Sequence, residues 1–327
     1  MPDVVVSTHD LKKYFSSRSC VVRAVNGVNL NVRAGQVFGF LGPNGAGKTT
    51  TLRILTTLIP ADSGQAVVAG YDVIRDPDDV RGHIGYVGQS GGSDRPATGR
   101  ENLVLQGRLY GMPRMDAGRR AAELIDLLDL TDFADRIAYT YSGGQRRRLD
   151  VALGIVHRPA VLFLDEPTTG LDPQNRANLW EQIAKLKATG TTIFLTTHYL
   201  EEADVLSDYV AIMDHGLIVA EGTPDQLKRQ VSLDMIRITL SNPAQASDVF
   251  RMLETQSVVK AVAEEQGALR ISVDNGEAAL PEIIRTLDAQ DIAIGGITLS
   301  TATLDDVFLE KTGRSLRDTA ANIAGGA

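Results

Sequence analysis

The stretch GFLGPNGAGKTT, residues 39–50, limits this chain more than any other. Gly42 to Thr49 match the spacing G-x-x-x-x-G-K-[ST]. Before it stands a short apolar run, QVFGFL, and after it a run with helical spacing, TTTLRILTTL. A strand, a glycine-rich turn and a helix in that order form a phosphate-binding loop. The glycines let backbone N–H groups point inward, and the helix N-terminus adds partial positive charge. Lys48 would reach the β- and γ-phosphates of a nucleotide, and the Thr49 hydroxyl would ligate Mg²⁺. The fold must therefore be α/β, with this loop at the end of a buried strand.

The rest of the chain fits that frame. Residues 1 to about 40 alternate as strands do, with Asn26-Gly27 and Ala34-Gly35 as the expected hairpin turns. Residues 99–158 carry apolar side chains at three- and four-residue spacing, as in AAELIDLLDL. From 161 to 220 short apolar runs alternate with helical ones, which predicts a parallel sheet. From about 233 the order reads strand, helix, strand, strand, helix, strand, a βαββαβ pattern that predicts a ferredoxin-like domain. The helix LDDVFLEKT follows it. The reading divides the chain into 1–228 (with a helical subdomain at about 88–158), an α+β domain at 229–313, and a flexible tail at 314–327.

Composition narrows the partners. Among 327 residues the formal net charge is -8, which argues against nucleic acid as a partner. A single cysteine, Cys20, excludes an internal disulfide and fits a reducing compartment. No apolar run approaches the roughly 18–20 residues that span a bilayer. MPDVVVSTHD lacks the basic and apolar regions of a signal peptide. The chain is expected to stay where it is made, and to reach a membrane only if another protein holds it there.

Two further segments carry chemistry. In PAVLFLDEPTTGLD the apolar run Val161 to Leu164 ends in Asp165 and Glu166. Carboxylates at the C-terminal end of a buried strand face the ligand site of an open α/β sheet. Asp165 is placed to hold the Mg²⁺ hydration shell and Glu166 to polarise an attacking water. In YSGGQRRRLD, Ser142, Gly143 and Gly144 precede a helix, forming an anion site with no side chain in the way. Arg146, Arg147 and Arg148 oppose the dipole of that helix, so they are expected to contact a partner or an acidic face. One site has little use for two such loops, which suggests that each serves a different molecule of a dimer.

GPNGAGKTT, YSGGQ, VLFLDEPTTGLDP and LTTHYLEEAD stand in the order and spacing of the ATP-binding subunits of ABC transporters, which residues 5 to 225 resemble. The resemblance implies that Gly42, Pro43, Asn44, Gly45, Ala46, Gly47, Lys48, Thr49 and Thr50 bind ATP. It makes Gln89 a glutamine that touches Mg²⁺ and senses a transmembrane partner, and His198 the switch histidine on the γ-phosphate. Asp172 resembles an aspartate that crosses a homodimer, in which Ser142, Gly143, Gly144 and Gln145 meet the partner's ATP. An aromatic side chain near the N-terminus would stack on adenine; Phe15 has the matching offset and Tyr14 is the alternative. Gly88 stands where the family usually has proline, Tyr141 where it has leucine, and SGGSDRPATG after Gln89 is expected to flex. The C-terminal domain with TLDDVFLEKTG resembles the daunorubicin/doxorubicin-resistance type. That type pairs with a separate ABC-2 type permease and exports drugs or lipids from the cytoplasmic face of the membrane. The alternatives are an importer ATPase with a regulatory C-terminal domain and a soluble ABC protein acting on DNA or ribosomes. The latter kinds carry coiled-coil insertions or two cassettes, and this chain has neither.

Overall fold

The structure, a computed structural model, describes residues 4–16, 21–231, 233–265 and 268–314. Cys20 and the tail beyond 314 lie outside the described residues. The chain separates after Pro224 into two compact units.

The first unit opens with β1 (Val4–Ser16), β2 (Val21–Arg33), β3 (Val37–Leu41), α1 (Lys48–Leu55), β4 (Ser63–Val68) and β5 (Tyr71–Asp72). Next come α2 (Pro77–His83), β6 (Ile84–Val87), α3 (Gly99–Leu109), α4 (Arg114–Leu127), α5 (Gly143–Gly154) and β7 (Val161–Asp165). It continues through α6 (Pro173–Ala188), β8 (Thr192–Thr197), α7 (Leu200–Leu206), β9 (Tyr209–Asp214) and β10 (Leu217–Gly222). One sheet is antiparallel, in the order β2-β1-β4-β5, and a second runs β10-β9-β3-β8-β7-β6. In the second sheet only β10 is antiparallel to its neighbour.

Period-two alternation divides that second sheet between two cores. Phe38, Phe40, Phe163 and Phe194 face the layer that includes the antiparallel sheet and α1. Val37, Leu162, Leu164, Ile193 and Leu195 face the opposite layer, with Leu103, Leu124, Leu149, Leu179 and Ile183 of the helices. Both faces being covered, the strands read as continuous apolar runs. Phe194 lies 5.2 Å from Phe38 and 5.4 Å from Phe163, centroid to centroid, and these rings anchor the two strands that carry the candidate site.

Two turn expectations are corrected. Asn26-Gly27 lies inside β2. Leu11 pairs with Val28 and Lys12 with Asn26, so Gly27 is the extra residue of a β-bulge, with φ 90°. Ala34-Gly35 does turn, but it leads into β3 of the other sheet, so it closes no hairpin.

The second unit contains α8 (Pro224–Val231), β11 (Asp234–Leu240), α9 (Ala246–Glu254), β12 (Val259–Glu265), β13 (Ala268–Val273), α10 (Gly276–Asp288), β14 (Ile294–Ser300) and α11 (Leu304–Thr312). Its sheet runs β12-β13-β11-β14, antiparallel throughout, which is the ferredoxin-like order. Ile236, Ile238 and Leu240 are buried with α9 and α10 while Arg237 and Thr239 are exposed, so one face of this sheet is packed. Among the described residues, no helix is long and apolar enough to cross a membrane.

Candidate active site

The loop between β3 and α1 is shaped by close backbone approach. A Cβ on Gly47 would stand 2.0 Å from the Ala24 carbonyl oxygen, and one on Gly42 2.2 Å from that of Met213. No other residue fits either position. Gly47 caps α1 at φ 112°, and no side chain takes the amides of the first turn. They stay open to a ligand.

Lys48 is buried, 4% exposed, and donates to the carbonyl oxygens of Gly42 at 2.7 Å and Pro43 at 3.1 Å. Its ammonium stands 3.4 Å from Glu166 Oε1. Burial holds its pKa below the usual amine range, against the opposing pull of Glu166 and Asp165. An ammonium has three N–H donors. Two are spent on the loop, and the third is left for the region of Glu166.

β7 delivers the two carboxylates. Asp165 Oδ1 accepts from Thr49 Oγ1 at 3.0 Å and from Thr196 Oγ1 at 2.7 Å, so it ties β7, α1 and β8 together. Glu166 has φ 45°, the left-handed region. For a residue other than glycine this costs about 1–2 kcal/mol. Its N–H donates to Thr196 Oγ1 at 3.0 Å and to the Thr196 carbonyl at 3.1 Å. That single shared hydrogen bond, worth about 1 kcal/mol, offsets much of the cost. Burial pushes the Glu166 carboxyl up, but His198 and Lys48 outweigh it and hold the carboxyl below its ordinary range. His198 Nδ1 lies 3.4 Å from Glu166 Oε2 and forms no well-aligned hydrogen bond.

A cavity of about 490 Å³ collects most of these groups. Phe15, Asn44, Gly45, Gly47, Lys48, Thr49, Thr50, Gln89 and Glu166 line it, with Val22 and Ala24. Tyr14 does not; its hydroxyl donates to Asn26 Oδ1 at 2.9 Å. Gly42, Pro43, Ala46, Asp165 and His198 do not line the cavity, but Gly42 and Pro43 accept from Lys48, Asp165 accepts from Thr49, and His198 lies beside Glu166. Ser142, Gly143, Gly144, Gln145 and Asp172 do not line the cavity. Ser142 caps α5 instead. Its Oγ accepts from the Gln145 N–H at 3.2 Å, and the Gln145 side chain accepts from the Ser142 N–H at 3.1 Å. Asp172 caps α6, accepting from the Asn175 N–H at 2.9 Å.

The arginine expectation needs correction. Arg147 is 7% exposed and donates to the carbonyls of Gly88 at 2.6 Å, Pro167 at 2.8 Å and Asp165 at 3.2 Å. Arg148 covers the Phe133 ring at 5.0 Å and donates to the Asp129 carbonyl at 3.0 Å. Arg146 reaches the Tyr141 carbonyl at 3.5 Å. All three bond within the chain, because each side chain finds backbone carbonyls nearby. The loop after Gln89 is tied as well: Gly92 and Ser93 donate to Asp150 Oδ1, both at 3.1 Å. One signal for Arg147 was available, since Gly144, Arg147, Val151 and Gly154 share one helical face and are all buried. Glu202 was missed too. It is fully buried, accepts from Trp180 Nε1 at 3.2 Å, and has its pKa raised by burial. Nothing in LEEAD marks it, because a glutamate on a short helix reads as solvated.

A phosphate loop facing two strand-end carboxylates on a largely parallel sheet, with a flanking antiparallel sheet, is the architecture of ABC-class ATPases. Residues 25–169 match the ABC transporter family, and residues 222–312 match the C-terminal domain of DrrA1-3-like ATP-binding proteins. A daunorubicin resistance ATP-binding protein of Streptomyces coeruleorubidus is 45% identical, over 92% of this chain and 94% of that one. A daunorubicin/doxorubicin resistance ATP-binding protein of Streptomyces peucetius is 44% identical, over 97% and 95%. A linearmycin resistance ATP-binding protein of Bacillus subtilis is 34% identical, over 96% and 100%. Among solved structures, a dimeric post-hydrolysis ATP-binding cassette bound to ADP and phosphate aligns with TM-score 0.61 at 25% identity, covering 67% of this chain and 98% of that one. An ATP-binding subunit of an ABC transporter aligns with TM-score 0.60 at 27% identity, over 69% and 92%. The chain belongs to the DrrA-like ATP-binding proteins of ABC transporters and is an ATPase.

Proposed function

We propose that this chain powers export of drugs or other hydrophobic compounds through a separate ABC-2 type permease. It would work as a head-to-tail homodimer held peripherally at the cytoplasmic face of the membrane. The relatives' resistance functions support export, and the dimeric cassette among similar structures supports the assembly. The observation that carries the catalytic reading is the convergence of Lys48, Glu166 and His198 within 3.4 Å contacts beside Thr49 and Asp165.

In this reading the open amides of α1 and the third Lys48 donor bind the phosphates of ATP, and Phe15 stacks on adenine. Thr49 and Asp165 present hard oxygens 3.0 Å apart, and Gln89 lines the same cavity, a donor set suited to Mg²⁺. Bound there, Mg²⁺ would neutralise charge on the phosphate oxygens. Glu166, ionised at neutral pH, accepts a hydrogen bond from the attacking water and orients it. His198 stands ready to donate to the γ-phosphate. Ser142, whose Oγ serves as acceptor in its cap, keeps its O–H for the nucleotide of the other subunit, with Gly143, Gly144 and Gln145. Asp172 sits on the same surface. Binding closes the dimer, and hydrolysis releases it.

The test is ATPase rate against protein concentration, with and without membranes carrying a coexpressed ABC-2 type permease. A rate rising faster than linearly, and further with permease and a candidate drug, supports the proposal. Linear activity indifferent to the permease would remove it.

A further inference from the structure

Glu166 is held in a backbone conformation that residues other than glycine rarely adopt. Thr196 holds it from one side. On the other side stands a single guanidinium. Arg147 donates through Nη2 to the carbonyl of Asp165, directly before Glu166, and through Nε to the carbonyl of Pro167, directly after it. Its Nη1 donates to the carbonyl of Gly88, directly before Gln89. Three donors in one rigid plane thus fix the backbone on both sides of Glu166 and beside Gln89. Arg147 sits on α5, whose first turn is the Ser142–Gln145 segment. One turn further on, Asp150 accepts from Gly92 and Ser93, so the same helix holds the backbone on both sides of Gln89. A lysine ammonium is a point charge and cannot reproduce this fork.

We propose that Arg147 is a positioning residue. It sets the direction of the Glu166 carboxylate, and it transmits displacement of α5 to it. The assignment rests on the reading of Glu166 as the water-orienting carboxylate. Nucleotide closing on Ser142 of one subunit then shifts the carboxylate of that same subunit, which acts on its own ATP.

The test is a double-mutant cycle on MgATP turnover by the full chain, with thermal melting of each variant. Arg147→Lys should lower kcat by roughly 10²-fold, the scale of a 1 Å misplacement. KM should stay within about three-fold, since phosphate binding is untouched. Added to Glu166→Gln, Arg147→Lys should change the residual rate by less than about two-fold, because there is no carboxylate left to aim. Arg148→Gln, on the same helix but packed on Phe133, should keep the wild-type rate. A full further loss in the double variant, a KM rise at unchanged kcat, or an equal loss in Arg148→Gln would overturn the proposal. Should Arg147→Lys not fold, Arg147→Gln takes its place in the same cycle. Failure of the underlying reading would look different: Glu166→Gln would turn over ATP as the wild type does.

Discussion

Two glycine-led helix starts in this chain are built for the same kind of ligand and finished differently. In the loop before α1, glycine is required because backbone carbonyls press on Gly42 and Gly47, and no side chain closes the helix end. The amides there are open and backed by a buried lysine. At α5 the helix end is closed by a capping box between Ser142 and Gln145. Gly144 is needed there because a Cβ would meet Asn175 Oδ1 at 2.1 Å, and Asn175 is itself held by Asp172. The first loop forms a pocket within the subunit. The second is an exposed, self-capped edge outside that pocket. In the proposed dimer the first loop is one half of a site, and the second is the complementary half offered to the partner.

The largest expected effect tests the carboxylate between the two. Glu166→Gln should lower turnover by about 10³-fold, within the range for losing a positioned proton acceptor. ATP should still bind, and a stable ATP-bound dimer should accumulate on size-exclusion chromatography. Full turnover in that variant would sink the role given to Glu166. Lys48→Ala strikes the first loop and should cost roughly 10²-fold in turnover, with weakened ATP binding by the isolated chain. Ser142→Ala strikes the second. It should cost on the order of ten-fold in turnover, together with about 1 kcal/mol of stability from the lost cap. Nucleotide binding at low protein concentration, measured by equilibrium dialysis, should not change. Weakened binding by dilute Ser142→Ala would mean that both loops serve one molecule.

The smallest effect is a pH dependence. The folded-state pKa of Glu166 lies below its ordinary value of 4.5. Its stabilising contribution is therefore present above the unfolded pKa and is lost as pH falls through the lower folded value. The wild-type Tm should drop more steeply than that of Glu166→Gln between about pH 5 and about pH 3. Parallel curves would show that Glu166 gains nothing from Lys48 and His198.

The same contrast explains how much could be read in advance. The first loop, the strand ending in Asp165 and Glu166, and the βαββαβ order were legible because each depends on local spacing. Continuous apolar runs such as VLFLD and TIFLTT also gave the buried strands, though not which residues face which core. What spacing could not supply was partnership across the chain. The bulge at Gly27 depends on the register of β1, far upstream at Lys12 and Leu11. The burial of Arg147 depends on carbonyls of Gly88, Asp165 and Pro167, so a charge run that reads as a partner surface turned out to be internal bracing. Glu202 is hidden the same way, its burial set by Trp180 on a different helix.

The central claim is that the two loops of one site come from two copies of the chain, and subunit mixing tests it most directly. Lys48→Ala and Ser142→Ala proteins, each impaired alone, are combined in equal amounts and assayed for ATP hydrolysis. A head-to-tail dimer gives every mixed pair one site with both loops intact. Random pairing should then restore about a quarter of wild-type turnover. If the mixture shows only the average of its two components, the loops do not meet across a dimer, and the account is wrong.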